Sequence, residues 1–357
     1  MKKENDFIKW IIIVIVSILI ILFTYNDDFL YTNKIIKVSK IDVKNEEVLK
    51  NNLGLKETHK ELIIYGTVTN GKNKGKLEKY EYEELSSSII TNKYKVGDKL
   101  IIKNNEIDTL KRDVYLVSLI LLFIISLYLV SNYKGLLALV SVILNISIFY
   151  IGLLLYFKGF NLFFLCLLES IIFTVLSLFL AAGNNKKTYS AIISVFITTL
   201  IVILLTVIIG SITKYKGISF NNLEFLTVPI NDVFLSMLII GGLGAIMDVC
   251  ITISSSINEL VCNNKKISTK ELIKSSNEIG IDIMGTMINV LFFTYLCGEL
   301  PIFVLAIRNG VTVYNTIKIF FSLGITRFLI GSIGIALAIP ISQFISIKMI
   351  KRGDRYE

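Results

Sequence analysis

Val114–Val130 reads VYLVSLILLFIISLYLV, seventeen residues in a row without a charge. As a helix at 1.5 Å per residue, a run of about 17–25 apolar residues covers the ~30 Å hydrocarbon core of a bilayer. Inside lipid every backbone polar group must be satisfied within the protein, which leaves helices or closed barrels. This run is too long and too continuous for a barrel strand, so it predicts a membrane-spanning helix. Working outward, seven more stretches have the same character: Phe7–Thr24, Leu136–Phe157, Leu162–Ala182, Tyr189–Ile209, Asp232–Ile257, Ile279–Leu296 and Thr326–Ile347. The expected fold is therefore an all-α polytopic membrane bundle of about eight transmembrane helices.

Composition agrees. Hydrophobic residues make up 54% of the 357, mean hydropathy is +0.69, and only three prolines interrupt the helices. The net charge of +9 raises the question of nucleic acid, but the lysines sit where membrane topology needs them, so no nucleic-acid partner is expected. The four cysteines, Cys166, Cys250, Cys262 and Cys297, have no metal-ligand spacing, and His59 has no cysteine or second histidine near it. With no Walker A loop, nucleophile elbow or HExxH, neither an enzyme nor a cofactor is expected.

Residues 1–25 read as an uncleaved signal anchor, with Lys2, Lys3 and Lys9 ahead of the apolar run and Trp10 at its edge. Residues 26–113 are polar and nearly balanced in charge. Short β-type runs at Lys34–Val43, Glu61–Thr69, Leu77–Glu83 and Lys99–Lys103 alternate with turn signals at Asn70-Gly71, Lys74-Gly75 and Gly97-Asp98. They predict a small inserted β-barrel-like domain of OB or SH3 type. Residues 114–347 form the remaining seven-helix domain. Within it, 297–325 (Pro301, Arg308, Asn309, Gly310, Asn315, Lys318) is too polar for a plain span and is expected to be re-entrant or interfacial. Residues 348–357 form a tail.

Orientation follows the positive-inside rule. With the N-terminus inside, the cytoplasmic face collects Lys186, Lys187, Lys265, Lys266, Lys270, Lys274 and the Lys348–Arg355 cluster. The outer face of the bundle receives only Lys158, Lys214, Lys216, Arg308, Lys318 and Arg327. A plasma-membrane protein with both termini cytoplasmic and residues 26–113 extracytoplasmic is expected.

Charged groups inside hydrocarbon cost several kcal/mol, with values starting near ~2.5–3.5 at a helix centre. Three carboxylates meet that condition: Glu169, Asp248 and Asp282. In the sixth span Gly241, Gly244, Ala245, Asp248, Thr252, Ser255 and Glu259 recur at helical 3–4 spacing, giving a face that is small in its outer half and polar in its inner half. The seventh span carries Asp282, Gly285, Thr286 and Asn289 at the same spacing. The two spans are antiparallel, so Asp248 falls level with Asn289 and Ser255 with Asp282, and a polar seam between them is expected. Hydroxyls and glycines in such a seam more often act as helix–helix glue. An aspartate is a costly glue, so Asp248 is the candidate group for a proton or a small cation. Glu169 lacks a polar stripe beside it. Gly331, Gly334 and Ala338, before Pro340, form another small packing face.

Gly244-Ala245-Ile246-Met247-Asp248-Val249 with Ser254-Ser255-Ser256-Ile257-Asn258-Glu259 resembles a signature of the YibE/F-like bacterial membrane proteins. Glu278-Ile279-Gly280-Ile281-Asp282-Ile283-Met284-Gly285-Thr286 through Asn289 is similar to its second block. Gly71–Lys76 and Val96-Gly97-Asp98 resemble pieces of the family's soluble domain. Val290, Leu291 and Phe292 depart from the pattern, where a Thr is expected soon after Asn289. The resemblance spans about residues 60–347 and implies a multi-pass membrane architecture. A fainter likeness links the chain to secretion-accessory and resistance–nodulation–division permeases, which also place a soluble domain after the first helix. The expected function is a secondary transporter of unassigned substrate, with the bilayer, a proton or cation, and a second copy or related membrane subunit as partners. The alternative is a non-transporting scaffold or sensor whose soluble domain binds a partner.

Overall fold

The computed structural model describes residues 2–50, 56–86, 91–220 and 229–351, and the side chains from residue 13 onward. The tail beyond Lys351 lies outside the described residues, as do the side chains of Lys2, Lys3, Lys9 and Trp10. Eight helices among the described residues are long and apolar enough to cross a membrane. The chain divides into two compact units, Met1–Val130 and Ser131–Glu357.

The first unit begins with α1 (Lys2–Asn26) and a short 3-10 turn, Asp27–Leu30. Five antiparallel strands follow: β1 (Lys34–Lys50), β2 (Lys56–Val68), β3 (Leu77–Leu85), β4 (Lys99–Lys103) and β5 (Glu106–Leu110). Their order is β3-β2-β1-β4-β5, and the edge strands β3 and β5 lie close to one another. The sheet thus curls most of the way into an open five-stranded barrel, the form an OB-like reading expects. Alternation places Leu62, Ile64 and Val68 of β2 inward against Ile36, Val38, Tyr80 and Leu100. Gly66 is needed there, because a Cβ would stand 2.8 Å from the Ile36 Cδ1.

β5 is absent from the sequence reading. It is produced by Asn104 and Asn105, which both take positive φ (51° and 67°) and close a two-residue hairpin between Lys103 and Glu106. β1 and β2 also run further than expected, pairing out to Lys50 and Lys56 as a long arm.

A buried ionic node joins the sheet to the end of α1 and the start of α2 (Asp113–Ser131). The Lys111 side chain is 1% exposed; its ammonium donates to Asp27 and, at 2.8 Å, to Asp28, and lies 3.4 Å from Asp113. Lys99 pairs with Asp28 at 2.7 Å. Burial alone pushes the Lys111 ammonium down, but its hydrogen bonds to Asp27 and Asp28 outweigh this and hold it above the usual lysine range. Burial and the Asp113 carboxylate push the Tyr31 phenol up to about 12. One amide completes the node. Asn70 accepts from the Ile35 N–H and donates to the carbonyls of Asp28, Tyr31 and Asn33.

The second unit holds α3 (Tyr133–Phe157), α4 (Leu162–Ala182), α5 (Lys186–Thr213), α6 (Ile230–Asn263), α7 (Thr269–Arg308), the single turn α8 (Val313–Thr316) and α9 (Ser322–Ser346). α5, α6, α7 and α9 build the core around Val195, Ile246, Val249, Ile253, Leu291 and Ile335. Glycines permit the close approach: a Cβ at Gly331 would sit 2.6 Å from Leu291, and one at Gly334 would sit 3.0 Å from Ile246.

The segment 297–325, expected to be re-entrant or interfacial, is largely helical. Residues 297–308 continue α7 without interruption through Pro301, and after a short non-helical link at 309–312 the chain is helical again to Lys351. Pro301 and Arg308 lie in the last turns of α7, whereas Asn309, Gly310, Asn315 and Lys318 follow its end. A helix of 40 residues is about 60 Å long, roughly twice the hydrocarbon thickness, so its ends extend beyond the apolar layer. π-helical turns at Ile317–Phe321 and Ile347–Lys351 flank α9.

Candidate functional site

α6 and α7 run antiparallel, joined by the connector around Asn264–Ser268, where Ser268 and Glu271 form a reciprocal capping box. Gly241 packs against the Tyr295 hydroxyl and Gly280 against Ile253. These two contacts put Asp248 within one turn of the level of Asn289, as expected.

The rotation of the two helices is another matter. On α6 the inward positions are Gly242, Leu243, Ile246, Val249, Cys250, Ile253, Ser254 and Ile257. Gly241, Gly244, Asp248 and Glu259 are exposed, and Thr252 and Ser255 are half-buried beside them. On α7, Asp282, Gly285, Thr286 and Asn289 are all exposed. Their side-chain hydrogen bonds stay within one helix: Thr252 donates to the Asp248 carbonyl, Thr286 to the Ile283 carbonyl and Asn289 to the Gly285 carbonyl. Among the described residues, no side-chain hydrogen bond joins the two polar faces. A closed seam is therefore not what forms. The faces are open because the apolar residues of both helices take the core-facing side, leaving the polar ones at the margin.

Gly244 and Gly285 share this exposure. A Cβ at either would meet nothing within 4 Å, so neither packs a helix within the chain, contrary to expectation, whereas Gly241, Gly331 and Gly334 do. Glu169 lies elsewhere, buried on α4 (6% exposed) with its carboxylate against Gly152 of α3, where no side chain fits. The structure does not bring Glu169 together with the α6 and α7 faces. Among the described residues no group of three or more His, Cys, Asp or Glu could hold a metal ion.

A long polar-faced α6, a matching α7 and a five-stranded unit ahead of them characterise the chain. Residues 119–352 match the model of the YibE/F-like proteins, and residues 29–115 match the YibE/F family N-terminal domain. The chain belongs to the YibE/F-like family. It is a multi-pass membrane protein, and the family's two domain models coincide with its sheet and its helical segments. No curated protein and no solved structure matched it.

Two polar groupings in this YibE/F-like bundle escaped the sequence reading. The first is a buried hydroxyl column on α5: Ser190, Ser194 and Thr198, all 0% exposed, continued by Thr206. Ser346 of α9 bridges it to α6, donating to Ser190 at 3.2 Å and sharing a 2.8 Å hydrogen bond with Ser254. The spacing of four residues along α5 is a visible signal for this column. The second grouping sits at the opposite end from the connector. The Arg327 guanidinium stacks on the Tyr295 ring at 4.4 Å, and Glu299 packs against Gly324 in the next turn of α9. The Tyr295 hydroxyl and the Arg327 Nε are buried without a hydrogen-bond partner. The stacked pair lies directly against Gly241.

Proposed function

We propose that this YibE/F-like protein is a secondary transporter or permease in which Asp248 is the proton- or cation-responsive group. The observation that carries the reading is the open polar face. Asp248, Asp282, Thr286 and Asn289 are exposed on helices otherwise built for lipid, and Asp248 has no ion-pair partner among the described residues. A carboxylate left against hydrocarbon is costly, so the face requires water, an ion or another protein surface. Gly244 and Gly285, with open space at their Cβ positions, let a neighbouring helix come close. A second copy or a related membrane subunit covering both faces would turn them into the wall of an enclosed polar path. The lysine and arginine distribution supports a plasma-membrane setting with both termini cytoplasmic and the sheet unit outside.

The test is flux in proteoliposomes under pH and cation gradients, comparing wild type with Asp248→Asn. Flux in the wild type that is lost in a folded Asp248→Asn variant supports the reading. Flux that survives the substitution removes Asp248 from the mechanism.

One observation favours the second reading, a non-transporting scaffold or sensor. The β1–β2 arm extends past the sheet core, with Val43, Val48 and Leu49 each more than half exposed. Such residues suit a partner-binding surface. Under this reading, shortening the arm removes function while Asp248→Asn leaves it intact.

A further inference from the structure

At the connector end of the bundle, the first turns of α7 and the last turns of the final helix flank a half-open cavity of about 500 Å³. Its lining is divided. Ile273 and Phe344, both substantially exposed, give it an apolar side that continues onto the membrane-facing surface. Gln343, Lys348, Lys351 and Thr269 give it a polar side.

Gln343 is the informative residue. The residue is only 7% exposed, yet its amide Nε2 has no hydrogen-bond partner. Buried donors in folded proteins are almost always matched, and Gln343 lines this cavity, so a small turn of its amide would let a ligand or water there supply the acceptor. Lys351 is held in place, donating to the Ile267 carbonyl at 2.6 Å and to Thr269 Oγ1 at 3.1 Å, which leaves a third ammonium N–H. Lys348, one turn earlier in the same π-helical segment, is exposed with its charge at the rim. The nearby carboxylate of Glu271 accepts from the Ser268 N–H in the capping box. The cavity therefore offers two cations and an orphan amide donor on one side and hydrocarbon contacts on the other.

We propose that this cavity binds an anionic phospholipid, with the phosphate at Lys348, Lys351 and Gln343 and an acyl chain along Ile273 and Phe344. Charge complementarity selects the anion, and the apolar half selects a lipid over a free phosphate. Basic pockets between membrane helices commonly hold such headgroups. The site is separate from the Asp248 face and does not depend on the transport reading.

The experiment is native mass spectrometry of the full chain in detergent, titrated with phosphatidylglycerol or with phosphatidylcholine of the same acyl chains. Inorganic phosphate serves as competitor. Wild type is expected to retain phosphatidylglycerol preferentially. Lys348→Gln should weaken that binding about fivefold, the share of one lysine near an anionic surface. Gln343→Leu should weaken it too without altering the charge. Equal retention of both lipids overturns the proposal, as does phosphatidylglycerol binding that is indifferent to Gln343→Leu, which would make the attraction a general surface effect. Displacement by inorganic phosphate as effectively as by lipid assigns the cavity to a free anion and also overturns it. Lys348 is exposed, so its variant folds and decides the question even where Gln343→Leu lowers yield.

Discussion

Glu169 and Gly152 show how a single missing side chain makes room for a charge. The carboxylate occupies the space where a Cβ on residue 152 would be. Gly152→Ala should therefore force Glu169 out of its rotamer, at a cost of about 1–3 kcal/mol typical of overpacking. The loss is expected as a lower melting temperature in detergent and should be largely recovered in the Gly152→Ala/Glu169→Ala double variant. Additive losses would separate the two residues. Lys111 makes the opposite case. Lys111→Met removes the ammonium that pairs with Asp27 and leaves Asp28 with Lys99 alone, and breaking a buried pair from one side costs about 3–5 kcal/mol. Proteolysis of the sheet unit should rise sharply while the helices of the second unit stay protected. Asp248, Asp282 and Glu169 were legible as residues, because a carboxylate in an apolar run stands out in any sequence. Gln343 was not, since an amide near a helix end carries no such contrast.

Among the elements, the sheet gives a pH signature. Hydrogen bonds from Lys34 and Tyr80 hold the Glu78 carboxyl below its usual range, and Glu78 in turn holds the Lys34 ammonium above its own. A depressed carboxyl stabilises fully above its unfolded pKa, near 4.5, and that contribution is lost as pH falls through the folded value. A raised lysine stabilises fully below 10.5, and its contribution is lost as pH rises through the folded value. The urea midpoint of the sheet unit, followed by near-UV tyrosine signals, should be flat in this pair between those limits and fall below pH ~4.5. Glu78→Gln should remove the acid-side part, by under about 1 kcal/mol for a partly exposed pair. The spans were legible because their hydropathy is blocked into membrane-length runs. Strand β5 was not, because its only herald is a pair of asparagines in the left-handed region. Helix rotation was equally hidden. When lipid is as apolar as the protein core, hydrophobicity does not say which side of α6 turns inward. Levels along the helices could be counted; facing could not.

For the whole molecule, the open faces of α6 and α7 make a prediction about assembly. Gly244 is exposed and a Cβ there meets nothing within 4 Å, so Gly244→Leu should leave the fold and melting temperature of the isolated protomer unchanged. It should nonetheless shift the detergent-solubilised mass, measured by light scattering, from oligomer to monomer. Gly331→Leu is the control, since it collides with Leu291 inside the bundle and should lower the yield of folded protein. A wild type already monomeric at all concentrations would leave the faces to lipid and remove the second copy from the proposal. The length of α7 has a mechanical consequence as well. Packing pins its connector half at Leu272, Gly280 and Leu291, and beyond Leu291 the helix runs about 26 Å further to Arg308 at 1.5 Å per residue. A tilt of ten degrees beyond Leu291 would move the Arg308 end by about 4 Å. Length alone thus turns a small bend near Leu291 into a displacement at the far end of the helix.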